Sequence, residues 1–454
     1  GYGITYMGRL RLKPFGAIQG CLTESNMRIL MLTQFYPPII GGGAIYARSL
    51  GHELVSRGHD VAVATLWHEG QAEFELDKGV RVYRIRSSMR RLTWLFSDNN
   101  RQYAPPFPDP EAILELRRII IRERPEIVHA HNWLVYSFLP LKVWSKAKLV
   151  VTLHNYSKVC VKTTLMRHEE PCEGPSYSKC FNCAVQYYGL TKGTSTILGH
   201  KVMGLAERNL VDMYLAVSQS VAIDSGLVSG QQPYQVIPNF ISDDANAFID
   251  DTEAFVSQLP PQGFLLFAGA LSKQKGVDVL LRAYADLTNA PPLVLIGYQT
   301  RDWPAMAKDC PANVFILNDW PRYAVLEAWH RSIIALAPSV GPEAFGLVVV
   351  EAMSAGRPVI ASCIGGMADL VTDGETGLLV EPGDTAALRL AIKRLLSNSE
   401  LRSRMGQAAL QKVVEYQASS IVPRIEQVYE ELLGEKAGSA SENDPFGEDL
   451  AIRM

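Results

Sequence analysis

A chain of 454 residues exceeds what one hydrophobic core usually serves, so two domains are expected. Hydrophobic residues make up 47% and charged residues 20%, with 44 Lys and Arg against 47 Asp and Glu, the composition of an ordinary globular protein of net charge −3. That balance, without an aromatic-and-basic signature, argues against a nucleic-acid partner, and no apolar run reaches the ~18 residues a membrane-spanning helix needs.

Residues 1–26 hold basic residues but no continuous apolar stretch, so they read as a disordered extension rather than a signal peptide. The cytoplasm is the default location, with peripheral contact at the inner membrane face as a further option. MRILMLT, from Met27, opens the folded part. Arg28–Thr33 reads as a buried strand, followed by a loop with Pro37, Pro38 and Gly41 to Gly43, and by a helix over Ala44–Arg57 that Gly58 ends. Strand, glycine loop and helix let backbone approach a phosphate closely. The loop is neither a P-loop nor a GxGxxG fingerprint, and a plain tight turn fits equally well.

Strand-like runs recur at Val61–Trp67, Val80–Arg86, Ile127–Ala130, Leu149–Leu153 and Tyr214–Val217, with helical stretches such as Glu111–Glu123 between them. The alternation predicts an α/β fold with a parallel, doubly wound sheet. Arg81, Arg84, Arg86, Arg90 and Arg91 form one basic cluster, which reads as a solvated face or, less often, as a contact for an acidic acceptor or anionic lipid. In IVHAHNW, His131 follows a strand at the end where α/β folds bind ligands, and His154 ends the next strand. An insert at 155–195 carries Cys160, Cys172, Cys180 and Cys183, four of the seven cysteines. Thiolates at that density suit a structural zinc that staples a loop too polar to fold by burial, ahead of an iron–sulfur cluster or unliganded thiols. Four protein ligands would leave no open position, so no catalytic metal is expected.

A second α/β set follows: Phe264–Ala268, Leu293–Ile296, Val314–Leu317, Ile333–Ala337 and Val359–Ala361. Its centre is Pro338–Asp384. There Glu343 precedes a helix over Phe345–Ala355 and Glu351 lies on that helix's apolar face. A carboxylate at a helix start sits where free N–H groups favour anions, and one on an inward face needs donors.

EAFGLVVVE, with PS before it, EAMSAGRPVIAS after it and then DGETGLLVEPGD, resembles the glutamate–seven–glutamate signature of retaining, nucleotide-sugar-dependent glycosyltransferases of the GT-B fold, family four. AVSQSVA and YQVIPNF, around Ser218 and Asn239, resemble that family's crossing between domains. FAGALSKQKGVDVLL resembles its GRLxxxKG segment, with Lys275 and Gly276 matching and Ala270 standing where the arginine is expected; Lys273 or an N-domain arginine is a candidate replacement. Some members carry similar cysteines. The resemblance implies two Rossmann-like domains facing a cleft: 27–218 with the insert, and 219–414 binding the donor. A helix over 415–433 would return to the first domain, and 434–454 would be a disordered tail. It also implies that Glu343 reaches donor-sugar hydroxyls and Glu351 the ribose. Lys275, Gly42, Gly43 and the amides of Phe345 and Gly346 would face the diphosphate, and His131 the sugar. The implied reaction is retaining transfer from a nucleoside diphosphate sugar, UDP favoured, to a hydroxyl of a glycan, lipid-linked or small-molecule acceptor. A sugar-nucleotide epimerase or hydrolase, or a non-catalytic binding protein, is the alternative. The oligomeric state is not legible.

Overall fold

The computed structural model describes residues 26–39, 41–95, 104–243, 252–261 and 263–434. The expected extension up to residue 25 and the tail from 435 lie outside them. In chain order the strands are β1 (Arg28–Leu32), β2 (Asp60–Leu66), β3 (Phe74–Asp77), β4 (Val80–Ile85), β5 (Ile127–Ala130), β6 (Lys148–Leu153), β7 (Met166–Arg167), β8 (Glu170–Pro171), β9 (Met213–Ala216) and β10 (Tyr234–Val236). The second set is β11 (Leu265–Ala268), β12 (Leu293–Ile296), β13 (Val314–Leu317), β14 (Ile334–Ala337), β15 (Val359–Ser362) and β16 (Gly377–Val380). The first sheet has the order β10-β9-β6-β5-β1-β2-β4-β3 and the second β13-β12-β11-β14-β15-β16. All pairings within them are parallel except β3 with β4, an antiparallel edge that sequence reading did not find.

The strand sequences explain the layering. LLFA, LVLI and IALA are apolar throughout and buried at every position, as expected of parallel strands covered by helices on both faces. β1 is central: Leu30 lies opposite Ala62 of β2 and Val128 of β5. Such interior strands bring successive loops together beyond their carboxyl ends, where doubly wound sheets bind ligands.

The last helix, Ala418–Leu433, buries Ile421, Val422, Ile425 and Val428 in one cluster with Met31, Val63, Val82 and Val150 of the first sheet. Each such side chain contributes roughly 1.5–3 kcal/mol of burial, which fastens the end of the chain to the first domain.

The cysteine-bearing insert is more regular than expected. After the β7–β8 hairpin, helix Tyr177–Tyr188 passes through Gly189, at φ 84°, into helix Leu190–Leu210. Small residues let the two helices approach: a Cβ on Gly193 would stand 2.6 Å from the Ala184 carbonyl oxygen. Val161, Ala184 and Ile197 form a small core of their own there.

Candidate active site

Three loops of the second domain converge. Gly276, in the left-handed region at φ 69°, lies so close to the β14 end that a Cβ would fall 1.8 Å from the Pro338 carbonyl oxygen. Only glycine fits. The loop is stitched on by Val340 and Gly341 amides donating to the Gln274 carbonyl at 2.9 and 3.0 Å. This approach carries Lys275 to Glu343, where the ammonium donates to Oε1, while the Ser339 hydroxyl donates to the same oxygen at 3.0 Å. From the loop after β15, the Gly366 amide donates to the Glu343 carbonyl at 2.7 Å. Lys275, Ser339 and Glu343 thus form one polar cluster at the carboxyl ends of β11 and β14.

Gly346, at φ 103°, caps helix Leu347–Ser354; its carbonyl accepts from the Val349 amide at 2.9 Å, and the N–H groups ahead of Val349 come before the helical ladder begins. Phe345 turns its ring inward, 4% exposed and 6.0 Å from the Tyr416 ring, so only its backbone is available to a ligand. Glu351, 7% exposed, accepts from Arg322 Nε at 2.9 Å. Sequence reading missed Arg322. It opens helix Arg322–Arg331, and nothing local announces its partner.

The first domain adds a histidine cluster. His129 is held on both ring nitrogens, by Tyr429 Oη and Thr152 Oγ1, each at 2.6 Å. His131, 5% exposed, meets His154 Nε2 through Nδ1 at 3.0 Å, and its Nε2 is buried without a partner. Burial lowers all three pKa values, to about 3 for His129 and about 4 for His154, and the neighbouring histidines push His131 the same way. All are neutral near pH 7. The Tyr46 ring stands 4.5 Å from that of His154 and 5.7 Å from that of His131, which brings the first turns of helix Gly42–Ser56 beside them. Gly42 and Gly43 start that helix in open space; no atom lies within 4 Å of a Cβ added to either. The Asn132 carboxamide oxygen, also missed, accepts from the Gln34 amide at 3.1 Å and ties the loop after β1 to the loop after β5. Tyr156 Oη donates to the Glu343 carbonyl at 3.4 Å, joining the two halves of the site.

Of the candidate replacements for the missing arginine, Lys273 and the arginines of residues 81–91 are engaged elsewhere. Lys273 Nζ lies 3.0 Å from Glu169 Oε2 on the β7–β8 hairpin. Arg81 pairs with Asp60 and Glu123, Arg84 with Glu75, Arg86 with Glu73, and Arg90 and Arg91 with Glu111. The zinc expectation is likewise corrected. Among the described residues no group of three or more His, Cys, Asp or Glu is placed to hold a metal ion. Burial pushes the Cys160 thiol up, the Cys172 thiol donates to the Gly174 carbonyl at 3.5 Å, and Cys180 accepts from the Ser176 amide at 3.4 Å. The insert packs around its aliphatic residues, and Cys183 stands near Cys160.

The chain resembles known proteins along most of its length. Residues 40–245 match the Glycosyltransferase Family 4 model and residues 250–412 the model for Glycosyl transferases group 1. The chain is 27% identical over 423 residues to a glycogen synthase of Mycobacterium tuberculosis, covering 89% of this chain and 94% of that protein. A phosphatidyl-myo-inositol mannosyltransferase of Mycobacterium leprae is 44% identical over 171 residues, 37% of this chain and 46% of that one. Among solved structures, sucrose-phosphate synthase from Thermosynechococcus elongatus superimposes with a TM-score of 0.69 at 20% identity, covering 89% of this chain and 99% of that one. HepE of Anabaena, in complex with UDP-glucose, gives 0.64 at 17% identity, covering 90% and 100%. These matches make the chain a glycosyltransferase, and the structural neighbours give it GT-B architecture. Its N-terminal half belongs to Glycosyltransferase Family 4 and its C-terminal half to the group 1 glycosyl transferases. Among the described residues no helix is long and apolar enough to cross a membrane.

Proposed function

We infer that the protein transfers a sugar from a nucleoside diphosphate sugar, UDP favoured, to an acceptor hydroxyl of a glycan, lipid-linked or small molecule, with retention at the anomeric carbon. The observation that carries this reading is the Lys275–Glu343–Ser339 cluster beneath the N-terminus of helix Leu347–Ser354. As the bond from the anomeric carbon to the diphosphate breaks, negative charge grows on the leaving oxygen and the sugar becomes oxocarbenium-like. Lys275 and the first-turn amides around Phe345 and Gly346 neutralise that charge, where fixed dipoles and a cation act most strongly. Glu343 turns its carboxylate to sugar hydroxyls and Glu351 to the ribose. Neutral His131 offers its unpartnered Nε2 to the sugar as a hydrogen-bonding group. Attack comes from the face the diphosphate leaves, and the leaving phosphate takes the acceptor's proton, so no side-chain nucleophile is required. A relative solved with UDP-glucose supports the choice of base.

Thermal unfolding with UDP, GDP, ADP and TDP tests the donor site. A nucleotide at 100 times its dissociation constant adds ~2.7 kcal/mol of stability. UDP should raise the midpoint most; no shift with any of the four refutes the site.

A further inference from the structure

We propose that Asn239 and His154 are positioning residues that fix the tautomer of His131 and leave its Nε2 as a lone-pair acceptor for a hydroxyl of the donor sugar. The sugar contact rests on the donor site inferred above, whereas the tautomer is a property of the free protein. A neutral imidazole carries one N–H and one lone pair, so what one nitrogen does dictates what the other can offer. His129 stands outside this chain of bonds, because Tyr429 and Thr152 occupy both its nitrogens. His131 and His154 share one bond, Nδ1 to Nε2 at 3.0 Å, and only one of the two rings can donate in it.

Asn239 decides which. It lies in the crossing between the domains, 6% exposed, on backbone pinned at both sides. The Ile237 amide donates to the Ala216 carbonyl at 2.9 Å and the Ile241 amide to the Tyr416 carbonyl at 3.0 Å. The Tyr46 ring touches both the crossing and the histidine, 5.2 Å from the Phe240 ring and 4.5 Å from that of His154. The bond between Asn239 and His154 favours the protonated imidazole, which is the effect of an oxygen accepting from a ring N–H. Asn239 Oδ1 is buried, and no other donor among the described residues reaches it. The protons then fall into order. His154 donates to Asn239 through Nδ1, the nitrogen that His131 does not use, so its Nε2 holds a lone pair. His131 Nδ1–H donates to that lone pair, and His131 Nε2, buried and unpartnered, is left unprotonated. A buried acceptor of this kind is met by an O–H donor. A sugar hydroxyl supplies one; a carboxylate, which only accepts, does not. The donor class is therefore a nucleotide sugar with a hydroxyl, not an acid group, at the position facing His131. Without Asn239 either tautomer would serve, and the ring would offer N–H and lone pair alike.

Long-range proton–nitrogen NMR correlation on the full chain with labelled histidine tests this near pH 7 and without ligand. His131 Nε2 should resonate as an unprotonated ring nitrogen and its Nδ1 as a protonated one, with His131→Gln assigning both. Asn239→Leu keeps the bulk of the side chain without its oxygen. In that variant the two His131 nitrogens should average, while the His129 signals, fixed by Tyr429 and Thr152, stay in place and report an intact domain. UDP-glucose should move the Nε2 signal and UDP alone should not. Asn239→Leu should also weaken UDP-glucose binding ~5-fold, with the affinity for UDP unchanged. A protonated Nε2 in the free wild type, or a tautomer that Asn239→Leu leaves as it was, overturns the positioning role. An Nε2 signal that UDP-glucose leaves where UDP does overturns the sugar contact. Failure to bind UDP at all refutes the donor site instead, and the ligand-free spectrum still decides the tautomer.

Discussion

Replacing Lys275 with alanine removes the cation that a glycine-defined loop presents to Glu343 and Ser339. Two magnitudes separate a catalytic from a merely structural lysine. The side chains of the pair are 33% and 15% exposed, so solvent screens the interaction and its loss costs ~1 kcal/mol or less. That is a melting shift of roughly 2–4 °C for a domain of about 200 residues. A cation that stabilises charge on a departing diphosphate is worth ~100- to 1000-fold in turnover, about 3–4 kcal/mol of barrier. Initial rates of nucleoside diphosphate release, measured with the donor that the thermal screen selects, should fall by that factor with little change in midpoint. Lys273→Ala, two residues away, removes an ammonium already engaged by Glu169 and should cost only a few-fold. A Lys275→Ala enzyme keeping more than a tenth of its rate, or a Lys273→Ala enzyme losing more than it, would refute the assignment.

Glu351→Ala should weaken UDP binding several-fold or more in calorimetry, because it removes the carboxylate proposed for the ribose and strands Arg322; unchanged affinity would take Glu351 out of the site. Ala270→Arg tests whether the absent cation limits the rate: ~10-fold or more faster turnover is expected, and an unchanged rate means another group already fills the role. Stability should also fall with acidity. The buried histidines titrate at about 3 for His129 and about 4 for His154, whereas in the unfolded chain they take protons below ~6.5. Their contribution is therefore complete above pH ~6.5 and is lost as the pH falls towards their folded values, up to ~2 kcal/mol for each histidine at pH 5. A denaturation midpoint that is the same at pH 7 and pH 5 would contradict this.

What the sequence disclosed follows from the range of the forces involved. Apolar runs such as LVLI mark strands because a parallel strand is buried on both faces by its own composition. The Lys275 and Glu343 segments were legible because backbone geometry fixes them locally, at Gly276 and at the start of helix Leu347–Ser354. The insert misled because its helices bury polar residues, His200 and Glu207, and expose leucines. The composition then reads as a loop too polar to fold by burial, and the cysteines drew the reading to metal. Arg322 with Glu351 is a pairing 29 positions apart and Lys273 with Glu169 one of 104, distances at which only the finished fold decides who meets whom. IVHAHNW shows the same limit most sharply. His129 and His131, two apart along one strand and its extension, share a face by the period of the strand, and only the family resemblance favours His131. Tyr429, 300 residues later, occupies His129. The residue left with a free nitrogen is thus chosen by the C-terminal helix folding back onto the first domain, an event written nowhere near the histidines themselves.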